Sequence, residues 1–370
     1  MTSHPFACAA VATTLTVGGP ALAQTGWCGV TAPRTPPGIS GAAARWHSGA
    51  MDAPSPRPPA PVQAGHALFR GLVARCAGIA PLVTAVAHPC DALSLAGALD
   101  AASAGLIVPI LVGPEAKIRP AAESAGLDIS ACRIEPAPHS HAAAARSVAL
   151  VRAGEAAMLM KGALHTDELM HEVVADDTGL RTARRISHAF LIDVRHYPRP
   201  LLITDAAINV RPTLEDKQDI VQNAIDLALV LGIKTPRVAV LSAVETVTAR
   251  LPSTIEAAAL CKMADRRQIT GGLVDGPLAF DNAVSPAAAE EKGIVSSVAG
   301  RADILVVPDL EAGNMLVKQL TFLSGAEAAG IVLGARVPIV LTSRADSPIE
   351  RVASCAIGVL LAQARAPIVA

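Results

Sequence analysis

The stretch Ile304-Leu305-Val306-Val307-Pro308-Asp309-Leu310-Glu311-Ala312-Gly313-Asn314 passes from four branched apolar residues, through a polar loop holding a glycine, into a segment of helical period. That is a strand, a short loop and a helix, the unit from which α/β sheets are assembled. Working outward, similar apolar runs rich in Val, Ile and Leu lie at 82–87, 106–112, 130–134, 189–194, 201–204, 238–241, 330–333 and 339–341. Between them, helical period is read at 93–104, 141–153, 214–231, 253–264, 313–323 and 349–362, and several of these begin after Ser, Thr or Asp, as helix N-caps do. The fold class is therefore α/β with a mostly parallel sheet, and nine runs suffice for more than one sheet region.

Composition narrows the class. The chain has 370 residues, 51% of them hydrophobic and only 2% aromatic, which suits a globular protein packed by small aliphatic side chains and long enough for two domains. Prolines interrupt apolar runs at Tyr197-Pro198-Arg199-Pro200 and at Thr235-Pro236, two candidate joints. The division expected is a leader over 1–66, a first α/β domain over 67–200 with the C-terminal helix as a candidate member, and a second over 201–370 carrying most site loops. A formal net charge of -1, from 31 basic and 32 acidic residues, provides no field for a polyanion, so nucleic acid is not an expected partner. Seven scattered cysteines without CxxC or zinc spacing read as reduced thiols, and no metal is expected.

The leader has two readings. Residues 7–23, ending Ala21-Leu22-Ala23-Gln24, look like a secretory apolar region with a small-residue cleavage site, but no Lys or Arg precedes Arg34. The favoured reading is a start placed too early, the natural chain beginning at Met51 ahead of a Pro-rich segment. No apolar run is long enough to span a bilayer, so no membrane partner is expected.

In a parallel sheet, ligands collect at the strand-to-helix loops. Thr342-Ser343-Arg344-Ala345-Asp346-Ser347 brings a hydroxyl, a guanidinium and backbone N–H groups to one helix N-terminus, suited to a phosphate or a thioester oxygen. The competing reading is an ordinary N-cap at Ser347 with a solvated Arg344. Pro308 to Asn314 is a second such loop, and there the competing reading is a turn capped by Asp309. Asp275-Gly276-Pro277 with Phe280-Asp281-Asn282 is a third such loop, which taken alone reads as a turn, and Met160 to Asp167, which follows a short apolar run and starts a helix, is a fourth, with His165 read as structural. No GxxxxGK[ST], GxGxxG after a strand, HExxH or GxSxG occurs, which weakens ATPase, dinucleotide, zinc-peptidase and serine-hydrolase readings.

Five motifs in order resemble the phosphate acetyltransferase and phosphate butyryltransferase family: Val274-Asp275-Gly276-Pro277-Leu278-Ala279-Phe280-Asp281, Val298-Ala299-Gly300-Arg301-Ala302-Asp303, Val307 to Asn314, Gly325-Ala326-Glu327-Ala328 and Ser343-Arg344. The resemblance covers roughly 68–361. Around Leu241 to Val247 and Thr342 to Ser347 the wording is closer to butyryl-type members and to the acyltransferase part of enoyl-CoA hydratase fusions, whose hydratase domain has no counterpart before Leu68.

The resemblance implies a two-domain α/β/α sandwich related to the isocitrate and isopropylmalate dehydrogenases, a cleft active site, a homodimer and a cytoplasmic location. It implies the reaction acyl-CoA plus phosphate giving acyl phosphate plus CoA, acetyl or butanoyl, by direct attack in a ternary complex. Coenzyme A is then a substrate with no bound cofactor, and an acyl kinase is a candidate functional partner. Ser343 matches the serine that bonds the reacting carbonyl and Arg344 the arginine that holds phosphate. Acetyl-type members place an aspartate base seven residues after that serine, where this sequence has Glu350; Glu350, Asp346 or a group elsewhere is left to act. Arg146, Arg181 and Arg185 are candidates for phosphate and CoA, and Asp309, Gly313, Asn314 and Lys318 for lining the cleft, with a solvated helix face the alternative for Lys318. The rivals are an NAD- and metal-dependent dehydrogenase of the same fold and a non-catalytic anion-binding protein.

Overall fold

Along the chain of the computed structural model, which describes residues 66–343 and 345–365, the first elements are α1 (Ala67–Arg75), β1 (Leu82–Ala87), α2 (Ala92–Ser103), β2 (Ile107–Gly113), α3 (Glu115–Ser124), β3 (Arg133–Pro136), α4 (Ser140–Arg152), β4 (Met158–Lys161) and α5 (Thr166–Val174). There follow β5 (Ser187–Asp193), β6 (Leu201–Thr204), α6 (Leu214–Val230), β7 (Arg237–Leu241), α7 (Pro252–Asp265), β8 (Leu273–Leu278), α8 (Phe280–Val284) and α9 (Pro286–Glu291). Last come β9 (Ile304–Val306), α10 (Leu310–Ser324), β10 (Glu327–Leu333), β11 (Ile339–Val340) and α11 (Pro348–Arg365). The expected leader, with its apolar region and Met51, lies outside the described residues, and among the described residues no helix is long and apolar enough to cross a membrane.

Among the described residues the strands form one sheet of eleven, in the order β3-β2-β1-β4-β11-β10-β5-β6-β9-β7-β8. Pairing is parallel except around the middle, where β10 runs antiparallel to both β11 and β5, and β5 antiparallel to β6. Both faces are covered by helices, and the alternation of side chains shows it. In β1, Val86 enters the core beneath α1, α2 and α11, while Ala85 and Ala87 enter the core beneath α4 and α5. In β9, Ile304 and Val306 face the first of these cores and Leu305 a third, under α10. Strands buried on both faces read as continuous apolar runs, which is why they are visible in the sequence.

Two strands are not visible in that way. β4 reads Met-Leu-Met-Lys, with no β-branched residue, and in sequence it shows only as a short apolar run. β8 contains Asp275-Gly276-Pro277, expected as a turn; it is instead a strand paired with β7 in parallel, with a register shift between Ala239 and Leu241 and a cis Gly276–Pro277 bond. Gly276 is required there because a Cβ would sit 2.7 Å from the Val240 carbonyl oxygen.

Helix starts follow capping chemistry. Thr213 and Asp216 form a reciprocal capping box on α6, and the Asp309 carboxylate accepts the Ala312 N–H at the start of α10. Gly325 closes α10 in the left-handed conformation, φ 59°, as a C-cap glycine does.

Candidate active site

β4 and β11 lie side by side and run parallel, so the loops beyond them leave the same edge of the sheet. One carries Lys161 at its root and Thr166 beyond; the other carries Thr342, Ser343, Ala345 and Asp346. Facing them is α10, which presents Asn314 and Lys318, and the floor is β5, with His188 and Phe190 on one face of the strand. Together these residues enclose a cavity of about 650 Å3.

Within it, the Ser343 backbone N–H donates to Asp346 Oδ2 at 2.6 Å, and Ser343 Oγ accepts the Ala345 N–H at 3.3 Å. The Ser343 hydroxyl makes no donor bond to a described residue, so its proton is available to a ligand in the cavity. Burial pushes the Asp346 carboxyl up to about 6, reinforced by the negative charge of Glu350 and opposed by the Ser343 N–H, Arg351 and Lys161. A carboxyl in that range exchanges its proton near neutral pH, as a general base does.

Glu350 also borders the cavity, but its carboxylate is committed to the backbone. Oε1 accepts the Ala328 N–H of β10 at 2.8 Å and Oε2 the Ser347 N–H at 2.6 Å, while the Glu350 N–H donates to Ser347 Oγ at 3.4 Å. This is a capping box that opens α11 and ties it to the sheet.

The other residues singled out by sequence divide clearly. Asn314 and Lys318 line the cavity, and Asn314 Nδ2 donates to the Ala206 carbonyl at 3.4 Å. Asp309 is the α10 cap and Gly313 is buried against Val307 and Ala206, where a Cβ would meet Val307 Cγ2 at 2.7 Å; neither lines the cavity. Arg344 lies outside the described residues. The three arginines proposed for phosphate and CoA are held elsewhere, because each has found an acceptor among its neighbours. Arg146 Nε donates to Glu135 at 2.8 Å, Arg181 Nη1 to Asp176 at 2.7 Å, and Arg185 Nε to Asn209 at 2.8 Å; none lines the cavity.

Two further lining residues bear chemistry: Lys161, in a loop the sequence marks without giving it a role, and His188, which the sequence reading does not name. Lys161 closes β4, itself hidden in the sequence, and its Nζ lies 3.5 Å from the Thr342 carbonyl oxygen. His188 hides in the apolar run of β5; burial pushes its imidazole down to about 3, so it is neutral, and its Nδ1 is buried without a hydrogen-bond partner among the described residues. Its ring stands edge-on to Phe190, with centroids 4.3 Å apart. A histidine inside an otherwise apolar strand is the only signal, and a core histidine gives the same one.

The family model described as phosphate acetyl/butaryl transferase matches residues 139–359. A phosphate acetyltransferase of Rhizobium meliloti is 66% identical over 294 residues, covering 80% of this chain and 93% of that protein. The chain belongs to the phosphate acetyl/butyryl transferase family. Its relatives in this family include a phosphate butyryltransferase of Clostridium acetobutylicum, 41% identical over 75% of this chain and 92% of that protein. A crystal structure of a branched-chain phosphotransacylase from Enterococcus faecalis superposes with a TM-score of 0.66 at 28% identity, covering 76% of this chain and 99% of that one.

The capping arrangement yields a direct expectation. Glu350→Ala strips the acceptor from the Ala328 and Ser347 N–H groups and should lower unfolding free energy by about 1–3 kcal/mol in a urea titration. An unchanged urea midpoint would contradict the capping role.

Proposed function

We propose that this chain is a phosphate acyltransferase that converts acetyl-CoA and inorganic phosphate into acetyl phosphate and coenzyme A, with coenzyme A acting only as substrate. The observation that carries this reading beyond family membership is the pairing, in one cavity, of the Ser343 hydroxyl with an Asp346 carboxyl raised to about 6. A phosphate oxygen attacks the thioester carbonyl carbon, the new C–O bond forms, and the C–S bond breaks with the electron pair leaving on sulfur. Ser343 donates to the carbonyl oxygen as its negative charge develops. In the opposite direction Asp346, as carboxylate, takes the thiol proton of CoA; the thiolate attacks the carbonyl carbon of acetyl phosphate, the C–S bond forms, and the acyl C–O bond breaks with its electron pair leaving on phosphate. Glu350 is assigned a structural role, Asn314 and Lys318 contact with substrate, and Arg344 contact with phosphate. The higher identity to an acetyltransferase than to a butyryltransferase supports acetyl as the group moved, against the butyryl-like wording of two short stretches.

The reading extends to organisation. Strands β3-β2-β1-β4, with α11 packed on α1 and α2, are proposed as the first domain, and β6-β9-β7-β8 with the antiparallel β5 and β10 as the second, in the manner of the isocitrate and isopropylmalate dehydrogenases. Met315, Phe322 and Leu323 stand 64%, 72% and 80% exposed on α10, a face that a second copy of the chain would cover in a homodimer. A location in the cytoplasm, where coenzyme A is abundant, and an acyl kinase consuming the acyl phosphate belong to the same reading.

Phosphate-dependent release of CoA thiol from acetyl-, propanoyl- and butanoyl-CoA tests the activity. Acetyl-CoA should turn over fastest, and Ser343→Ala should lower kcat by about 10²- to 10³-fold; no thiol release with any of the three would overturn the reading. Sedimentation velocity checks the dimer, and a monomer at micromolar concentration would contradict it.

A further inference from the structure

Beside the main cavity lies a small side chamber that shares Lys161, Thr342 and Ser343 with it and is otherwise bordered by the start of α2, the loop after β4 and one residue of α11, Arg351. Arg351 is 5% exposed. Its backbone N–H bonds to the Ser347 carbonyl, but its guanidinium makes no hydrogen bond or ion pair with any described residue, and it feels Asp346 only at longer range. A guanidinium carries five N–H donors and a full charge, so burying it without an acceptor is unfavourable.

The fold nevertheless makes room for it. Gly97, inside α2, has no side chain where a Cβ would come within 2.9 Å of Arg351 Cδ and 3.5 Å of Met160 Cε. The aliphatic stem is thus laid in a groove of α2, and the charged head is directed into the chamber, which it lines. Lys161 adds a second cation where the chamber meets the cavity. Among the described residues bordering the chamber, Asp91 is the one acid, and its Oδ1 is engaged by the Ser94 N–H at 2.8 Å and the Ser94 hydroxyl at 2.7 Å. The balance of charge in the chamber is positive, beside the hydroxyl of Ser343.

We propose that this chamber is the subsite for inorganic phosphate, with Arg351 as its buried binding group and Lys161 at its mouth. The inference rests on the acyltransferase reading for the identity of the anion. A planar guanidinium binds two phosphate oxygens side by side. From there a third oxygen is offered to a thioester carbonyl held at Ser343.

The test uses the full chain, Arg351→Met and Arg351→Lys, with two readouts: the rise in thermal midpoint caused by inorganic phosphate and, separately, by coenzyme A, and the KM values for phosphate and acetyl-CoA with kcat. In Arg351→Met the phosphate-induced rise should vanish and the KM for phosphate should increase by about tenfold or more, with the KM for acetyl-CoA within about twofold; Arg351→Lys should recover part of the loss. An unchanged KM for phosphate in folded Arg351→Met overturns the proposal. So does a rise in the KM for acetyl-CoA alone, which would make the chamber a site for the phosphates of coenzyme A. Should Arg351→Met not fold, Gly97→Ala, which presses on the arginine stem and keeps its charge, is read by the same criteria. If the wild-type chain shows no turnover, the acyltransferase reading fails by itself, and the phosphate-induced midpoint shift still decides the chamber: its absence in the wild type overturns the subsite.

Discussion

The site depends on a strand of two residues. β11 is squeezed between β4, to which it runs parallel, and β10, which it opposes; Ile339 is partnered with Leu159 on one side and Val332 on the other, and Val340 with Met160. All five are essentially inaccessible to solvent. This short pairing is where a parallel block of strands meets the antiparallel pair at the centre of the sheet. Because β11 ends there, the chain from Leu341 onward leaves the sheet beside Lys161, and Ser343 and Asp346 arrive in the same cavity. A longer strand would carry them past it, and a one-residue slip would turn the core-facing side chains outward.

Beyond β11, the start of α11 is tied down by Glu350. Glu350 spends both carboxylate oxygens on backbone N–H groups, one on β10 and one at the start of α11, so the start of α11 is tied to the sheet. Burial raises the neighbouring Asp346 carboxyl to about 6. The same burial keeps His188 neutral on the floor. The cavity therefore confronts its ligand with an uncharged imidazole below, a near-neutral acid beside the serine, and the cations Lys161 and Lys318 at the sides, a distribution suited to holding an anion while exchanging a proton.

How much of this is legible in the sequence depends on where the physics is local. Strands buried on both faces announce themselves by composition, so nine of the eleven are readable, the half-exposed edge strand β3 only in part, and Asp309 and Ser347 show themselves as caps. β4 and β8 are lost because Met-rich runs carry weak strand preference and Asp-Gly-Pro is a turn signal that pairing with β7 overrides. Within the site, Ser343, Asp346 and Asn314 are marked by strand-to-helix loop stretches, whereas Lys318, on α10, is reached only through the family resemblance. The first-half arginines could not be placed, since the sequence does not say that Arg146 finds Glu135 or Arg181 finds Asp176. Arg351 does leave a trace, a charge set into the apolar face of α11, but its partner groove at Gly97 is remote in sequence and emerges only in three dimensions.

The central claim, that Asp346 rather than Glu350 handles the proton, is tested most directly by the pH dependence of kcat/KM in the direction of acetyl phosphate plus CoA. Because burial raises the Asp346 carboxyl to about 6, the carboxylate needed as base is lost as pH falls through that value. The wild-type rate should decline on an acid limb centred near there, and Asp346→Asn should be slow across the range with that limb abolished. An acid limb that persists unchanged in Asp346→Asn and disappears in Glu350→Gln would contradict it.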